Sequence, residues 1–236
     1  MKRVLLTGGS GGIGRSTIEC LLDKGYFVEF THTEETNQDK LPQHSNLKAI
    51  LINFENKLEL DLLRRKIYEN PPDVLINNAA RYIYHESLER INIEDFELTQ
   101  RVNLTAPVFL SFAIANGLSR INKTGDVINI SSVTVKHGGS ANSLDYTLSK
   151  AALEVSTITL SKTFASKGIR FNGIRLGVVD TKIHLKNPTK NMKKRINLIP
   201  AQKIIKPLEV GKLIVSIIEN ESPSLTGSII DFSGGE

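Results

Sequence analysis

Seven short apolar runs, separated by stretches with helical periodicity, constrain this chain more than any other feature. Val4-Leu5-Leu6, Phe27-Val28-Glu29-Phe30, Ala49-Ile50-Leu51-Ile52, Val74-Leu75-Ile76, Val127-Ile128-Asn129-Ile130, Arg170-Phe171-Asn172-Gly173-Ile174 and Ser228-Ile229-Ile230-Asp231-Phe232 read as strands. The first helix places Ile18, Leu21 and Leu22 on one face and ends at Lys24-Gly25. Further helical patterns run from Leu58 to Tyr68, stopped by Asn70-Pro71-Pro72, around Ile93–Gly117, over roughly Leu144–Ser166 and near Leu208–Ile218. Short apolar strands alternating with helices specify an α/β fold, a doubly wound seven-stranded parallel sheet with helices on both faces. Glycine and proline are spread along the 236 residues with no linker-like stretch, so residues 1–236 read as a single domain. In such sheets ligands bind outside the carboxyl ends of the strands, near the topological switch point.

The polar motifs fall just after the strands. Gly8-Gly9-Ser10-Gly11-Gly12-Ile13-Gly14 joins the first strand to the first helix. Glycines there let backbone turn tightly and approach a pyrophosphate that faces the helix N-terminus, although the same turn also fits a tight connection with no ligand. Tyr146 and Lys150 lie four residues apart in a helical stretch, which stacks phenol and ammonium on one face. A cation held there is expected to lower the phenol from about 10 toward neutrality, as proton exchange with a carbonyl or alcohol requires. Alone, this spacing also fits a surface pair.

Together these motifs resemble the short-chain dehydrogenase/reductase family, nearly end to end, and imply its single-domain Rossmann fold. Thr7-Gly8 followed by Gly12-Ile13-Gly14 is similar to the family's glycine turn, and Asn77-Asn78-Ala79-Ala80 to its Asn-Asn-Ala-Gly, with alanine in the last place. Asn103 stands where the family has its catalytic asparagine, Ile130-Ser131-Ser132 resembles its serine motif and Tyr146/Lys150 its Tyr-x-x-x-Lys. Leu176-Gly177, Val179 and Asp180-Thr181 stand where Pro-Gly and a cofactor-contacting threonine are usual. The family's usual spacing puts the catalytic serine at Val133. A one-residue insertion in Lys136-His137-Gly138-Gly139-Ser140 moves it to Ser132 and leaves Ser131 structural.

The resemblance implies an oxidoreductase that reduces a ketone to a secondary alcohol, similar to 3-oxoacyl-thioester reductases. Tyr146 would exchange the proton, Ser132 would hydrogen-bond the carbonyl oxygen, Lys150 would hold the nicotinamide ribose, and Asn103 would anchor a water. Gly8, Ser10, Gly11, Gly12, Ile13, Gly14, His32, Thr33, Asn53, Phe54, Asn78, Ala79, Tyr146, Lys150, Gly177, Val179 and Thr181 would form the dinucleotide site. An acidic residue at the end of strand two would bind the ribose 2′-hydroxyl and repel a 2′-phosphate. By family pattern that position is His32, so NADP is expected over NAD, although Glu34 and Glu35 follow closely. A noncatalytic dinucleotide-binding sensor or scaffold is the alternative, and the intact Ser132, Tyr146 and Lys150 argue against it. A sugar-nucleotide epimerase would need a larger C-terminal domain.

The formal net charge of +5 is partly concentrated in Lys182, Lys186, Lys190, Lys193, Lys194 and Arg195. No aromatics interleave with them as in a stacking surface for nucleic acid. A solvated segment, or a site for an anionic or carrier-linked substrate, fits better, and Ile183 to Pro200 reads as a substrate-covering loop. Tyr82, Tyr84, His85 and His137 are candidates to touch substrate. The histidines show no paired spacing for a metal, and no run approaches the ~20 apolar residues of a membrane span. The basic start is not a secretory signal, because its apolar run ends at once in glycines. The single cysteine, Cys20, reads as a buried structural thiol, and a cytoplasmic location is the default expectation. Val108, Leu110, Phe112 and Ile114, with Leu153, Val155, Ile158 and Leu160, make two helices apolar on more than one face, which predicts a homotetramer or homodimer.

Overall fold

The computed structural model describes residues 1–33, 43–182 and 191–236. Glu34, Glu35, Lys186, Lys190 and the first part of the expected covering loop, residues 183–190, lie outside the described residues. Chain order is β1 (Arg3–Leu6), α1 (Gly12–Asp23), β2 (Phe27–His32), β3 (Leu47–Leu51), α2 (Lys57–Glu69), β4 (Val74–Asn77), α3 (Ile93–Gln100), a π-helical turn (Arg101–Thr105), α4 (Ala106–Arg120), β5 (Gly125–Ser132), α5 (Thr134–His137), α6 (Leu144–Phe164), β6 (Ile169–Leu176), α7 (Met192–Asn197), α8 (Pro207–Glu219) and β7 (Ile229–Phe232). The seven strands form one parallel sheet in the order β3-β2-β1-β4-β5-β6-β7.

Period-two alternation along the strands divides the core. Val4, Leu6, Val28, Phe30, Ile128, Ile130 and Ile174 face α1 and α8, and pack on Ile18, Leu21, Val210 and Ile214. Leu5, Leu75, Val127, Ile169 and Phe171 point to the other face, against Leu63 and Ile67 of α2, Leu110 and Ile114 of α4, and Leu160 and Phe164 of α6. Each central strand is therefore apolar on both sides, which is why these runs read as continuous rather than alternating. Cys20 is a buried free thiol in the α1 face, its pKa raised mainly by burial.

Strand order reverses between β1 and β4, and the chain's polar turns gather at the carboxyl ends there. The helical run Ile93–Arg120 is long and apolar enough, by composition alone, to cross a bilayer, unlike any stretch read from sequence. It is a core helix: Leu110, Ile114 and Leu118 are buried against the sheet.

Candidate active site

The β1–α1 turn is shaped by close backbone packing. Gly8 adopts φ +70, and a Cβ there would stand 2.9 Å from the Ala79 Cα, so the turn after β1 lies directly on the turn after β4. A side chain on Gly14 would meet the Gly8 carbonyl at 2.3 Å, which fixes how closely α1 approaches the turn. Thr7 and Asn78 join the two turns. The Thr7 hydroxyl accepts from the Asn78 and Ala79 amides, both at 3.0 Å, while the Asn78 side chain donates to the Thr7 and Gly8 carbonyls at 3.0 Å. Thr31 adds an anchor, its hydroxyl accepting from the Gly8 amide at 3.0 Å. Gly11 precedes helix α1 and provides no side-chain cap, and the first turn has no acidic residue, leaving donors for an anion.

Gly8, Ser10, Gly11, Gly12, Ile13, Gly14, His32, Thr33, Asn53, Phe54, Asn78, Ala79 and Thr181 line one cleft over the strand ends. This donor set fits a dinucleotide: a bare helix N-terminus for a pyrophosphate, and Phe54 and Asn53 beyond β3. His32 is buried, with its Nδ1 3.1 Å from the Thr33 carbonyl. Gly177, Val179, Tyr146 and Lys150, expected in this site, are not in the cleft wall. The Gly177 amide donates to Phe232, and buried Val179 bridges to Ile205, because the β6 end is tied to the segment before α8.

Helix α6 carries Tyr146 and Lys150 one turn apart. The Ser132 hydroxyl at the end of β5 lies close enough to the Tyr146 phenol to lower its pKa against the effect of burial. Tyr82, a wall residue of the cleft, packs edge-on against the Tyr146 ring at 5.4 Å. Ser131 faces the other way and donates to Glu154 Oε1 at 2.6 Å, so adjacent serines serve different neighbours. Lys150 is buried, and its Nζ donates to the Ile130 carbonyl at 2.8 Å. That ammonium lies 5.7 Å from the centre of the Tyr146 ring.

The expected electrostatic tuning is not what the protein's own groups produce. Burial pushes the Tyr146 phenol up to about 12; the Ser132 hydroxyl pulls against this and Tyr82 adds to it. Burial likewise pushes Lys150 down to about 8. Removal from water, which disfavours the charged form of each group, sets both directions.

Asn103 is buried in the π-helical turn, whose widened backbone sets its amide against Arg81. Its Oδ1 accepts from the Arg81 amide at 2.7 Å; its Nδ2 donates to the Arg81 carbonyl at 2.9 Å and to Ser149 Oγ at 3.1 Å. Ser149 donates in turn to the Tyr146 carbonyl at 2.6 Å. Sequence reasoning missed Arg81, which also bridges Glu55 and Asp95, because an ion pair between distant elements leaves no local pattern. Of the substrate-side candidates, His137 is exposed on α5, and His85 is buried beside Asp145 instead of opening to the cleft. Among the described residues no group of three or more His, Cys, Asp or Glu could hold a metal.

Comparison with known proteins accords with this geometry. A family profile described as Enoyl-(Acyl carrier protein) reductase matches residues 8–236. A 3-oxoacyl-[acyl-carrier-protein] reductase (FabG) of Thermotoga maritima is 27% identical, over 99% of this chain and 97% of its own. Among solved structures, 4-hydroxyisoleucine dehydrogenase complexed with NADH is 25% identical, with TM-score 0.89 and coverage of 100% of this chain and 98% of that one. BdcA in complex with NADPH is also 25% identical, with TM-score 0.86 over 99% and 93%. The chain belongs to the short-chain dehydrogenase/reductase family and is a nicotinamide-dinucleotide-dependent oxidoreductase.

Proposed function

We propose that the protein is an NADPH-dependent reductase that converts a ketone, a 3-oxoacyl thioester or a small carbonyl metabolite, to a secondary alcohol. The observation that carries this reading is the grouping of Ser132, Tyr146 and Lys150 where β5 ends and α6 begins, joined to the cleft by Tyr82, a wall residue edge-on against the Tyr146 ring at 5.4 Å. When bound, NADPH supplies the hydride. The β1–α1 turn and the α1 N-terminus would hold its pyrophosphate, His32 and Thr33 its adenosine ribose, Asn53 and Phe54 its adenine, and Asn78, Ala79, Tyr146 and Lys150 its nicotinamide half.

Tyr146 donates a proton to the carbonyl oxygen. With the phenol raised by burial, the acid form is fully populated at neutral pH, which suits the reductive direction. Ser132 donates a hydrogen bond to the same oxygen as charge grows on it. Asn103 fixes Arg81 and, through Ser149, the Tyr146 backbone, and would anchor the water that links Lys150 to solvent. NADPH is favoured over NADH because neither His32 nor Thr33 at the end of β2 is a carboxylate.

The experiment is a screen of NADPH oxidation by the purified protein against 3-oxoacyl thioesters, enoyl thioesters, quinones and sugar ketones, with Tyr146→Phe as control. We expect the variant to bind NADPH as wild type does and to lose about three orders of magnitude or more in kcat. Ser132→Ala should lose on the order of 100-fold. A Tyr146→Phe enzyme within about tenfold of wild type would sink the assignment. Binding of dinucleotide without turnover of any carbonyl would favour the sensor or scaffold role.

A further inference from the structure

One residue before the phenol, Asp145 is fully buried in the first turn of α6. A buried carboxylate needs partners. Its Oδ2 accepts from Thr99 Oγ1 at 2.8 Å and lies 3.5 Å from the Nε2 of His85, itself only 5% exposed. That separation is just beyond a hydrogen bond, and neither His85 Nε2 nor Asp145 Oδ1 has another partner. The two side chains come from different elements and meet at the residue that precedes the proposed proton donor on α6.

Backbone contacts reinforce the same junction. The His85 amide donates to the Asn142 carbonyl at 3.0 Å, and the Asn142 side chain donates back to the His85 and Glu86 carbonyls at 2.6 and 3.1 Å. The Asp145 carbonyl accepts from Gln100 Nε2 at 2.9 Å, next to the π-helical turn that carries Asn103. Tyr82, on the same loop as His85, meets the Tyr146 ring edge-on. The loop after β4, the end of α3 and the start of α6 thus converge on one carboxylate. Other charged groups around His85 are Asp95 on α3, and Arg81 and Glu86 on its own loop.

We propose that His85 and Asp145 form a buried positioning pair that docks the loop after β4 onto the first turn of α6, and so fixes where the Tyr146 phenol meets its substrate. The inference rests on the reading of Tyr146 as proton donor, and neither residue need touch the substrate. A closed pair holds Tyr82 and Tyr146 in one arrangement; an open pair lets the loop and the helix start move independently. Misplacing a reacting group by about 1 Å can cost on the order of 100-fold in rate.

The test uses full-length His85→Gln and Asp145→Asn, which approximate the lost groups in shape, and their double variant. Each single change should lower kcat on the best wild-type substrate by about ten- to a hundredfold and leave NADPH affinity within about twofold. The double variant should be no worse than the poorer single, as expected for groups acting as a unit. Hydrogen exchange, which needs no turnover, should show residues 82–86 and 140–145 losing protection together in either variant while the β1–α1 turn keeps its own. Normal kcat in a folded single variant, multiplicative losses, or loops that exchange independently would overturn the pairing. If one variant fails to fold, the other decides. If wild type reduces no carbonyl, the proposed reaction fails, and the exchange result still decides the docking.

Discussion

Lys150, proposed above to hold the nicotinamide half of the cofactor, acts against stability. Its ammonium titrates near 8 in the fold against 10.5 for the free side chain, because burial disfavours the charge. Between those values the unfolded chain binds more protons than the folded one, so stability rises with pH across the window; below 8 the charged lysine opposes folding throughout. Lys150→Met should therefore stabilise the protein at neutral pH by on the order of 2 kcal/mol, after deducting the lost bond to Ile130. Denaturant titrations should show the gain shrinking as pH approaches 10.5. A variant less stable than wild type at pH 7 would contradict burial as the dominant cause. At the other end of the cleft, His32 makes a different commitment. His32→Asp should erase or reverse a preference for NADPH over NADH, because a carboxylate there repels a 2′-phosphate. Equal dissociation constants for the two cofactors in wild type would remove the basis for that preference.

The joint between α6 and the strands β5 and β6 is the element-level counterpart of the site. Glu154 on α6 accepts from Ser131 at 2.6 Å and from Arg175 of β6 at 2.9 and 2.6 Å, and Arg175 continues to Asp231 of β7. The Glu154 side chain is only 8% exposed, so its charge is committed to these partners. Removing one member strands the other in a poorly solvated site. Glu154→Ala should cost about 3 kcal/mol in chemical denaturation, with Glu154→Gln recovering part of it by keeping an acceptor for Ser131. A loss below about 1 kcal/mol would mean that water replaces the bridge freely. Such a joint holds the Ser131–Ser132 end of β5 at a fixed distance from the helix that carries Tyr146.

At the scale of the molecule, α4 and α6 each bury one stripe against the sheet and leave another apolar. Leu110, Ile114, Leu153 and Leu160 are buried, while Phe109, Phe112, Leu148, Val155 and Ile158 are exposed, Val155 to 65%. We expect an apolar face of this kind to take a second copy of the chain. We expect light scattering at micromolar concentration to give a multiple of the 26.1 kDa chain, a tetramer in preference to a dimer. Val155→Glu should shift the distribution toward smaller species, since a charge on an otherwise apolar contact must be desolvated to associate. A monomer mass for wild type would refute the assembly.

The sequence by itself determined the sheet. Strands buried on both faces must be apolar throughout, and helices covering them must carry a stripe, so both periods survive in the residues. It also placed the glycine turn, because backbone that approaches other backbone as closely as Gly8 does at Ala79 excludes a Cβ. Ser132 rather than Ser131 as the neighbour of Tyr146 depended on a register shift in a loop, and the two serines part only because β5 turns alternate side chains to opposite faces. What only the tertiary structure decided is what distance in sequence conceals. Lys150 and Tyr146 are neighbours on a helix, yet their protonation follows from how deeply the rest of the chain buries them. The Asn103–Arg81 bonds, the Glu154–Arg175 bridge and the meeting of His85 with Asp145 join segments twenty or more residues apart. No local pattern encodes such pairs, because each half is an ordinary polar residue until folding removes the water around it.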